Sequence, residues 1–209
     1  MVDRMKAPLQ KQRSLNPALL LLWLGLAVWS VLSLMSYSNQ PGPAFAAPGK
    51  WPAESKLPPP GKTQSLLMFV HPHCSWSKAS IGELSSLMTA CQGHVDAYVL
   101  FFKPAGQPTN WAQTDLWRQA AAIPGVSVMP DEDGCQARLF GAETSGEVLL
   151  YGAQGLLRFQ GGLTLSRGRV GENPGREALQ ALIFHQQTQL TQTPVFGCPL
   201  SRGNLTSRK

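Results

Sequence analysis

The sequence predicts an α/β protein with a mixed central sheet flanked by helices, preceded by one N-terminal transmembrane helix. Apolar stretches of strand length alternate with amphipathic stretches of helix length across residues 63–187, and an uncharged apolar run precedes them. The predicted order is β-α-β-α-β-α-β-β-α. Alternating strands and helices indicate a layered α/β domain, and the closing hairpin makes the sheet mixed. About 125 residues suffice to bury one hydrophobic core.

The uncharged run, residues 16–37, is predicted to be a transmembrane anchor. At about 1.5 Å per residue, about 20 helical residues span the roughly 30 Å hydrocarbon core. Residues 1–13 carry four basic residues and one acidic residue, and no charge occurs over residues 14–49. The positive-inside rule therefore predicts a cytoplasmic N-terminus, residues 1–15, and an extracytoplasmic domain. A cleaved signal peptide is the alternative, because residues 44–46, Ala-Phe-Ala, have the small-x-small pattern of a cleavage site.

Two further segments are predicted to lie outside the folded domain. Seven prolines in residues 38–62 favour an extended linker. Gln, Thr and Ser dominate residues 188–209, which we predict to be a flexible tail.

The net charge of +6 arises at the chain ends, since residues 62–201 hold nine Lys or Arg and ten Asp or Glu. A nucleic-acid-binding face would need basic residues clustered on the domain, so this class of partner is not expected.

Within the domain, β-branched and apolar runs predict strands, and apolar residues three or four positions apart predict helices. The predicted strands are 65–70, 95–102, 126–129, 147–151 and 156–160. The predicted helices are 75–91, 110–122, a short one over 131–140, and 172–187. Asp131 is predicted to cap the short helix, because a carboxylate accepts hydrogen bonds from unpaired N–H groups there.

The candidate reactive group is Cys74, which follows the first predicted strand and immediately precedes the first domain helix. A cysteine at a helix start faces unpaired backbone N–H groups and the positive end of the helix dipole. Both favour the thiolate, the nucleophilic form of the side chain. A protonated His71 or His73 would lower the pKa of Cys74 further. An inert, buried cysteine is the alternative, since free cysteine is among the most buried residue types.

The neighbours of Cys74 allow other chemistry as well. Ser75 and Ser77 are predicted to supply polar contacts at the helix start, and Trp76 either packs internally or offers an aromatic surface to a partner. His71, His73 and Cys74 are acceptable copper or zinc ligands, but no fourth ligand is evident. We therefore assign no metal and no other cofactor. The remaining cysteines are Cys91, predicted in the core, Cys135, in the core or on the surface, and Cys198, either free or in a disulfide.

Residues 65–185 contain a series of short motifs that also occur, in the same order, in a known protein family. The motifs are Phe69-Val70-His71-Pro72-His73-Cys74, Ser77-Lys78-Ala79-Ser80, Ile123-Pro124-Gly125-Val126, Asp131-Glu132-Asp133-Gly134, Phe140-Gly141-Ala142-Glu143-Thr144-Ser145-Gly146 and Phe159-Gln160-Gly161-Gly162. Together with the strand–cysteine–helix order, they resemble the thioredoxin-like RedB family of bacterial proteins, in the thioredoxin-fold superfamily. The resemblance implies a thioredoxin-like fold and redox character. With the predicted anchor and its orientation, we expect a protein or small-thiol redox partner and a periplasmic domain on a single-pass inner-membrane anchor.

The chain departs from the family pattern at its centre. Where the family usually has Cys-Pro-Cys, this chain has Cys74-Ser75-Trp76, and Ser77 stands where thioredoxins keep a resolving cysteine. A local second thiol is therefore absent, so unassisted dithiol cycling at this loop is not expected. The resemblance also aligns Ser145-Gly146 with the cis-proline site of thioredoxins. A glycine there would let a partner backbone approach closely.

We therefore expect a membrane-anchored, extracytoplasmic thioredoxin-like protein with monothiol oxidoreductase chemistry at Cys74, resolved by an external thiol or a distant cysteine. A non-catalytic binding or assembly protein, and copper binding through the His-Pro-His-Cys loop, are the alternatives. The expected catalytic residues are Cys74 and Ser77. The expected binding residues are His71, His73, Ser75, Trp76, Ser145 and Gly146.

Overall fold

The computed structural model describes residues 16–43, 45–168, 171 and 173–200. The predicted cytoplasmic segment and the last nine residues of the predicted tail lie outside the described residues. The chain divides into two units at residue 38. The first contains helix α1, Pro17–Ser38, which is long and apolar enough to cross a membrane, with a hydropathy of 2.2. Length and composition alone do not separate an anchor from a signal sequence.

The second unit is built on one five-stranded sheet with the spatial order β3-β2-β1-β4-β5. The strands are β1 Gln64–Val70, β2 Val95–Lys103, β3 Val126–Glu132, β4 Glu147–Tyr151 and β5 Leu157–Gly162. Strands β1, β2 and β3 are parallel, whereas β4 is antiparallel to both β1 and β5. The predicted mixed sheet is confirmed. Strand β3 is longer than predicted because it lies at an edge, where Pro130 breaks no inner ladder.

Four further helices flank the sheet: α2 Ser77–Ala90, α3 Asp115–Ala121, α4 Cys135–Leu139 and α5 Pro174–Ile183. The single helix predicted over 110–122 is instead a short 3-10 turn followed by α3. Thr114 separates them with an extended backbone, and its hydroxyl donates to the Pro72 carbonyl at 3.1 Å. The short helix predicted over 131–140 begins only at Cys135, and its N-cap residue is Gly134. Asp131 stabilises its first turn from strand β3, accepting hydrogen bonds from the N–H groups of Gln136 and Ala137 at 2.7 and 2.9 Å.

The sheet separates two hydrophobic cores, because successive side chains of a strand point to opposite faces. One face of β1 contributes Leu66 and Met68 to the core beneath α2, α3 and α5. The other contributes Leu67 and Phe69 to a smaller core with α4. All seven residues of β1 are buried, as expected for a central strand covered on both faces. The loop that leaves β1 therefore starts from a fixed position.

The proline-rich segment predicted as a linker, residues 38–62, differs from that prediction because it contacts the domain. Leu57 is buried in the smaller core. The Trp51 ring lies edge-on to Tyr151 with 5.2 Å between ring centroids, and the Tyr151 hydroxyl donates to the Pro48 carbonyl at 2.9 Å. The prolines do favour extended chain, but Leu57 is buried and Trp51 is partly buried against the domain.

Residues 191–200, here called the C-terminal segment, differ from the predicted flexible tail. The backbone of Gln160 on edge strand β5 donates to the Thr191 carbonyl at 3.0 Å and accepts from the Thr193 N–H at 3.2 Å. Further along, Val195, Phe196 and Leu200 are buried. Apolar side chains thus hold this segment on the domain.

Candidate functional site

The loop between β1 and α2 carries Cys74 at the start of the helix. Its backbone is closed by two hydrogen bonds: the Cys74 N–H donates to the His71 carbonyl at 3.0 Å, and the Ser77 N–H donates to the Cys74 carbonyl at 3.1 Å. Cys74 is only 1% exposed. The strand end fixes one side of this tight loop and the first turn of α2 fixes the other, so the sulfur has a defined position.

A chain of hydrogen bonds ends at the Cys74 sulfur. The Ser145 hydroxyl accepts from the His71 backbone N–H at 2.7 Å and lies 2.7 Å from the Ser77 hydroxyl. Ser77 in turn hydrogen-bonds Cys74 and favours its ionised form. A hydroxyl has one proton to donate. When Ser77 donates to the Cys74 thiolate, Ser145 must donate to Ser77. The order is then His71 N–H, Ser145, Ser77, Cys74.

The pKa of Cys74 lies below its ordinary value of 9.0 through competing effects. Burial is the largest of them and by itself raises the pKa of this thiol. Hydrogen bonds from the side chains of Cys198 and Ser77, and from the backbone N–H groups of Cys198 and Trp76, lower the pKa of Cys74 and outweigh the burial. Donors directed at a sulfur in a site of low polarity stabilise its negative charge, and the thiolate is the attacking form.

Cys198, on the C-terminal segment, is the second sulfur of the site. Its Sγ lies 2.8 Å from the Sγ of Cys74, although 124 positions separate the two residues. All four cysteines are free thiols in this structure. Burial, followed by the hydrogen bond to Cys74 and the negative charge of Cys74, raises the pKa of Cys198 to about 12, with Arg167 acting in the opposite direction. Because Cys74 has the lower pKa, the Cys198 S–H donates to the Cys74 thiolate.

The loop histidines form an aromatic rim rather than part of the sulfur site. The His71 ring stacks on Phe102 with 5.6 Å between centroids, and the exposed His73 meets Trp111 edge-on at 4.9 Å. Within the described ranges, no three His, Cys, Asp or Glu side chains are grouped so that they could hold a metal ion.

The other predicted binding residues have different surroundings. Ser75 is exposed, and Trp76 is half-buried with its ring against Gly168. Gly146 is buried, with φ +92°, and a side chain there would come within 2.8 Å of the Ser80 hydroxyl. Its missing side chain makes room for α2, which is an internal contact. We predicted that Gly146 admits a partner backbone. In the structure, this glycine instead allows α2 to pack closely.

The structure brings Cys74, Ser77 and Ser145 together and adds Cys198, whose place the sequence had left open between a free thiol and a disulfide. A usable signal exists in the sequence, because Val195-Phe196 and Leu200 are apolar residues flanking a cysteine in an otherwise polar tail. Cys91 is fully buried, as predicted for a core residue, and Cys135 is exposed beside Arg138.

No protein-family model matches the chain, and no curated protein is significantly similar to it in sequence. Among solved structures, a hypothetical protein from Sinorhizobium meliloti 1021 is similar with a TM-score of 0.57 and 18% identity, over 78% of this chain and 96% of that one. An uncharacterised conserved protein from Geobacillus kaustophilus gives 0.57 and 18%, over 79% and 92%. The exposed lipoprotein thioredoxin of Streptococcus pneumoniae strain TIGR4 gives 0.44 and 13%, over 60% and 87%.

The predicted α/β fold, a mixed five-stranded sheet flanked by helices, is confirmed. The narrower resemblance to the RedB family stays a prediction.

Proposed function

We propose that this protein carries out thiol–disulfide exchange, with Cys74 as the attacking thiolate. The observation that carries the proposal is the set of donors directed at a buried sulfur in the loop between β1 and α2. A buried thiol without such donors would stay protonated and inert, whereas Cys74 has its pKa lowered in spite of burial. Attack by this thiolate on a disulfide gives a mixed disulfide with the partner.

Ser77 has the direct role beside the sulfur, because its hydroxyl stabilises the thiolate before attack. Ser145 is a positioning residue: it accepts from the His71 N–H and directs its own proton to Ser77. The backbone N–H of Ser145 donates to the Cys198 carbonyl at 2.8 Å. The stretch before β4 therefore orients both sulfurs. Ser77 therefore supports Cys74 chemically instead of replacing a missing thiol.

The substrate class is a disulfide of a protein or a small thiol. The exposed His73 and Ser75, together with the half-buried His71 and Trp76, surround the loop and form the contact surface for such a partner. The aromatic rings of Phe102 and Trp111 extend this surface. Aromatic side chains supply contact area at low entropic cost, which favours transient docking of a partner.

For location, we propose that α1 anchors the chain in a bacterial inner membrane and that the domain faces the periplasm. Support comes from the apolar helix and from the positive charges ahead of it in the sequence. An extracytoplasmic compartment is oxidising, so disulfides are available there as substrates.

Catalysed reduction of a fluorescent peptide disulfide, with glutathione as the electron donor, tests the function. We expect the full-length chain to accelerate the reaction, Cys74→Ser to bring it to the uncatalysed rate, and Cys135→Ser to leave it unchanged. Cys135 is the matched control because it is exposed, and the contact described for its sulfur is with Arg138 rather than with Cys74. Equal rates for the wild type and Cys74→Ser would contradict the proposal and favour a binding or assembly role.

Labelling of Cys135 tests the location. A membrane-impermeant maleimide added to cells with a permeabilised outer membrane should label this exposed thiol without lysis of the inner membrane. Labelling that requires inner-membrane lysis would mean that the domain faces the cytoplasm. Cys135→Ser is the control for labelling at other cysteines.

A further inference from the structure

We propose that Cys198 is the resolving thiol of Cys74, so that the chain carries its own second redox cysteine on the C-terminal segment. The inference rests on the proposed function and names the step that follows the first attack. A disulfide S–S bond is about 2.05 Å long. The two sulfurs lie 2.8 Å apart, so an approach of about 0.75 Å brings them to bonding distance.

The backbone around Cys198 is held in a built site. The Ser145 N–H donates to the Cys198 carbonyl, and the Leu200 N–H donates to the Glu143 carbonyl, both at 2.8 Å. Between these two bonds, Thr144 and Pro199 form an antiparallel bridge. Three successive residues of the stretch before β4 thus align the segment, and this alignment determines which residue meets Cys74.

Side-chain packing fixes the same register. Val195 and Phe196 are buried on one side of the cysteine and Leu200 on the other. Gly197 lies against the backbone of Ser145 so closely that a side chain would collide with the Ser145 carbonyl oxygen. A glycine is the residue that permits such an approach. The close fit immediately before Cys198 brings its sulfur to the thiolate.

The two thiols differ in the way that an ordered reaction needs. Cys74 ionises before Cys198 and attacks first because its pKa is lowered, whereas Cys198 stays protonated because burial, the hydrogen bond to Cys74 and the charge of Cys74 raise its pKa. Once Cys74 forms a mixed disulfide, its negative charge is gone and so is the acceptor of that hydrogen bond. Two of the three causes that raise the pKa of Cys198 then disappear, while Arg167 still lowers it. The first step therefore prepares the second.

The reaction balances with a partner disulfide as the oxidant. The Cys74 thiolate attacks one partner sulfur, the partner S–S bond breaks, and the other partner sulfur leaves as a thiolate that takes a proton from solvent. Cys198 loses its proton to solvent and attacks the Cys74 Sγ. The mixed disulfide breaks, the second partner thiolate leaves and is protonated, and a Cys74–Cys198 disulfide remains. The partner gains two electrons and the chain loses two. An external dithiol, oxidised to a disulfide in turn, returns the pair to thiols.

A single-turnover reaction of the reduced full-length chain with glutathione disulfide tests the assignment. The samples are quenched with acid and alkylated, and their disulfides are mapped by mass spectrometry. The wild type should pass through glutathionylated Cys74 and end as a Cys74–Cys198 disulfide. In Cys198→Ser, glutathionylated Cys74 should live about a hundredfold longer, because a tethered thiol has a millimolar effective concentration. Cys135→Ser should behave as the wild type.

The outcomes separate the two proposals. A wild type that keeps glutathione on Cys74 for as long as Cys198→Ser does, or that pairs Cys74 with Cys91 or Cys135, overturns the resolving role and leaves the proposed function standing. Absence of any reaction at Cys74 in both proteins overturns the proposed function itself. Mapping of the wild-type product does not depend on how well the Cys198→Ser variant folds.

Discussion

The β1–α2 loop and the C-terminal segment deliver one cysteine each to the same point by different physical means. The loop positions Cys74 through hydrogen bonds within four residues, between a buried strand and a helix. The segment positions Cys198 through backbone pairing with residues 143–145, more than 50 positions away, and through buried apolar side chains. Local geometry thus creates the reactive thiol, and tertiary packing supplies its partner.

The difference extends to the chemistry of the two thiols. Donors around the loop lower the pKa of Cys74 in spite of its burial, whereas burial and the neighbouring charge raise the pKa of Cys198. The two contacting cysteines are thereby assigned to successive steps: Cys74 to the first attack and Cys198 to the resolution of the mixed disulfide. The following predictions disturb either the loop or the segment.

The largest effect is expected from Gly197→Ala, which acts where the segment meets Ser145. The added methyl group would collide with the Ser145 carbonyl and displace Cys198 from Cys74. A displacement of about 1 Å can cost about a hundredfold in rate, so closure of the internal disulfide should slow by that order. Quenched-flow mass spectrometry of the disulfide measures this rate. Gly61→Ala, at a glycine with open space around it, is the matched control, and equal rates in the two variants would contradict the account.

The second prediction concerns the helix that carries the loop. The Glu83 side chain on α2 is 2% exposed and pairs with Arg176 on α5 at 2.6 Å. Arg176→Ala would leave a buried carboxylate without its partner, which costs about 3–5 kcal/mol for a fully buried pair. Since Arg176 is 29% exposed, a loss of about 2 kcal/mol in the free energy of unfolding is expected.

Denaturant unfolding of the full-length chain measures this loss. The control is Arg118→Ala, which breaks an exposed pair with Asp115 and should cost less than about 1 kcal/mol. An Arg176→Ala protein as stable as Arg118→Ala would mean that the ion pair does not hold α2 on α5.

Ser77→Ala should raise the pKa of Cys74 and leave the segment in place. It removes one hydrogen bond to a charged sulfur, worth about 1.5–3 kcal/mol, and one pKa unit corresponds to about 1.4 kcal/mol. A rise of about one unit is therefore expected in the pH dependence of thiol alkylation. Ser86→Ala, on the exposed side of α2, should leave the pKa of Cys74 unchanged. An unchanged pKa in Ser77→Ala would remove Ser77 from the thiolate site.

The smallest effect should come from Glu147, which lies beneath the segment and accepts from the Gln160 side chain at 2.9 Å. Burial raises the pKa of Glu147 above its ordinary value of 4.5. The folded state thus favours the protonated carboxyl, and the free energy of unfolding falls as the pH rises from the unfolded pKa, about 4.3, through the folded pKa.

Comparison of Glu147→Gln with the wild type isolates this contribution. The stability difference, variant minus wild type, should increase with pH across that window and stay constant above it. Chemical denaturation at a series of pH values measures the difference. A flat curve for Glu147→Gln would contradict the assigned shift.

Much of the sheet and the reactive loop could be predicted because their signals are local. Strand 147–151 was predicted with its observed bounds, and the strand–cysteine–helix order located Cys74. The break at Thr114 could not be predicted in this way. No glycine or proline marks it, and it coincides with the bond from its hydroxyl to the Pro72 carbonyl, a contact that exists only in the folded chain.

The packing of the proline-rich segment, residues 38–62, and of the C-terminal segment could not be predicted for a related reason. Their prolines and polar residues are typical of extended chain, and the backbone of both segments is indeed irregular. What orders them is burial of Leu57, Val195 and Phe196, and packing of the partly buried Trp51, on surfaces that the sheet creates. Composition describes the backbone state of such segments but not the surface on which they pack, and the sequence prediction therefore left Cys198 open between a free thiol and a disulfide.

The most direct test of the division between the two thiols is limited alkylation with iodoacetamide across a pH series, followed by peptide mass spectrometry. Cys74 should be modified first, with a midpoint below its ordinary value of 9.0, because its pKa is lowered. Cys198 should be modified almost only in molecules whose Cys74 already carries the label, because loss of the Cys74 charge lowers the pKa of Cys198. Modification of Cys198 ahead of Cys74, or one common midpoint for both thiols, would contradict the account.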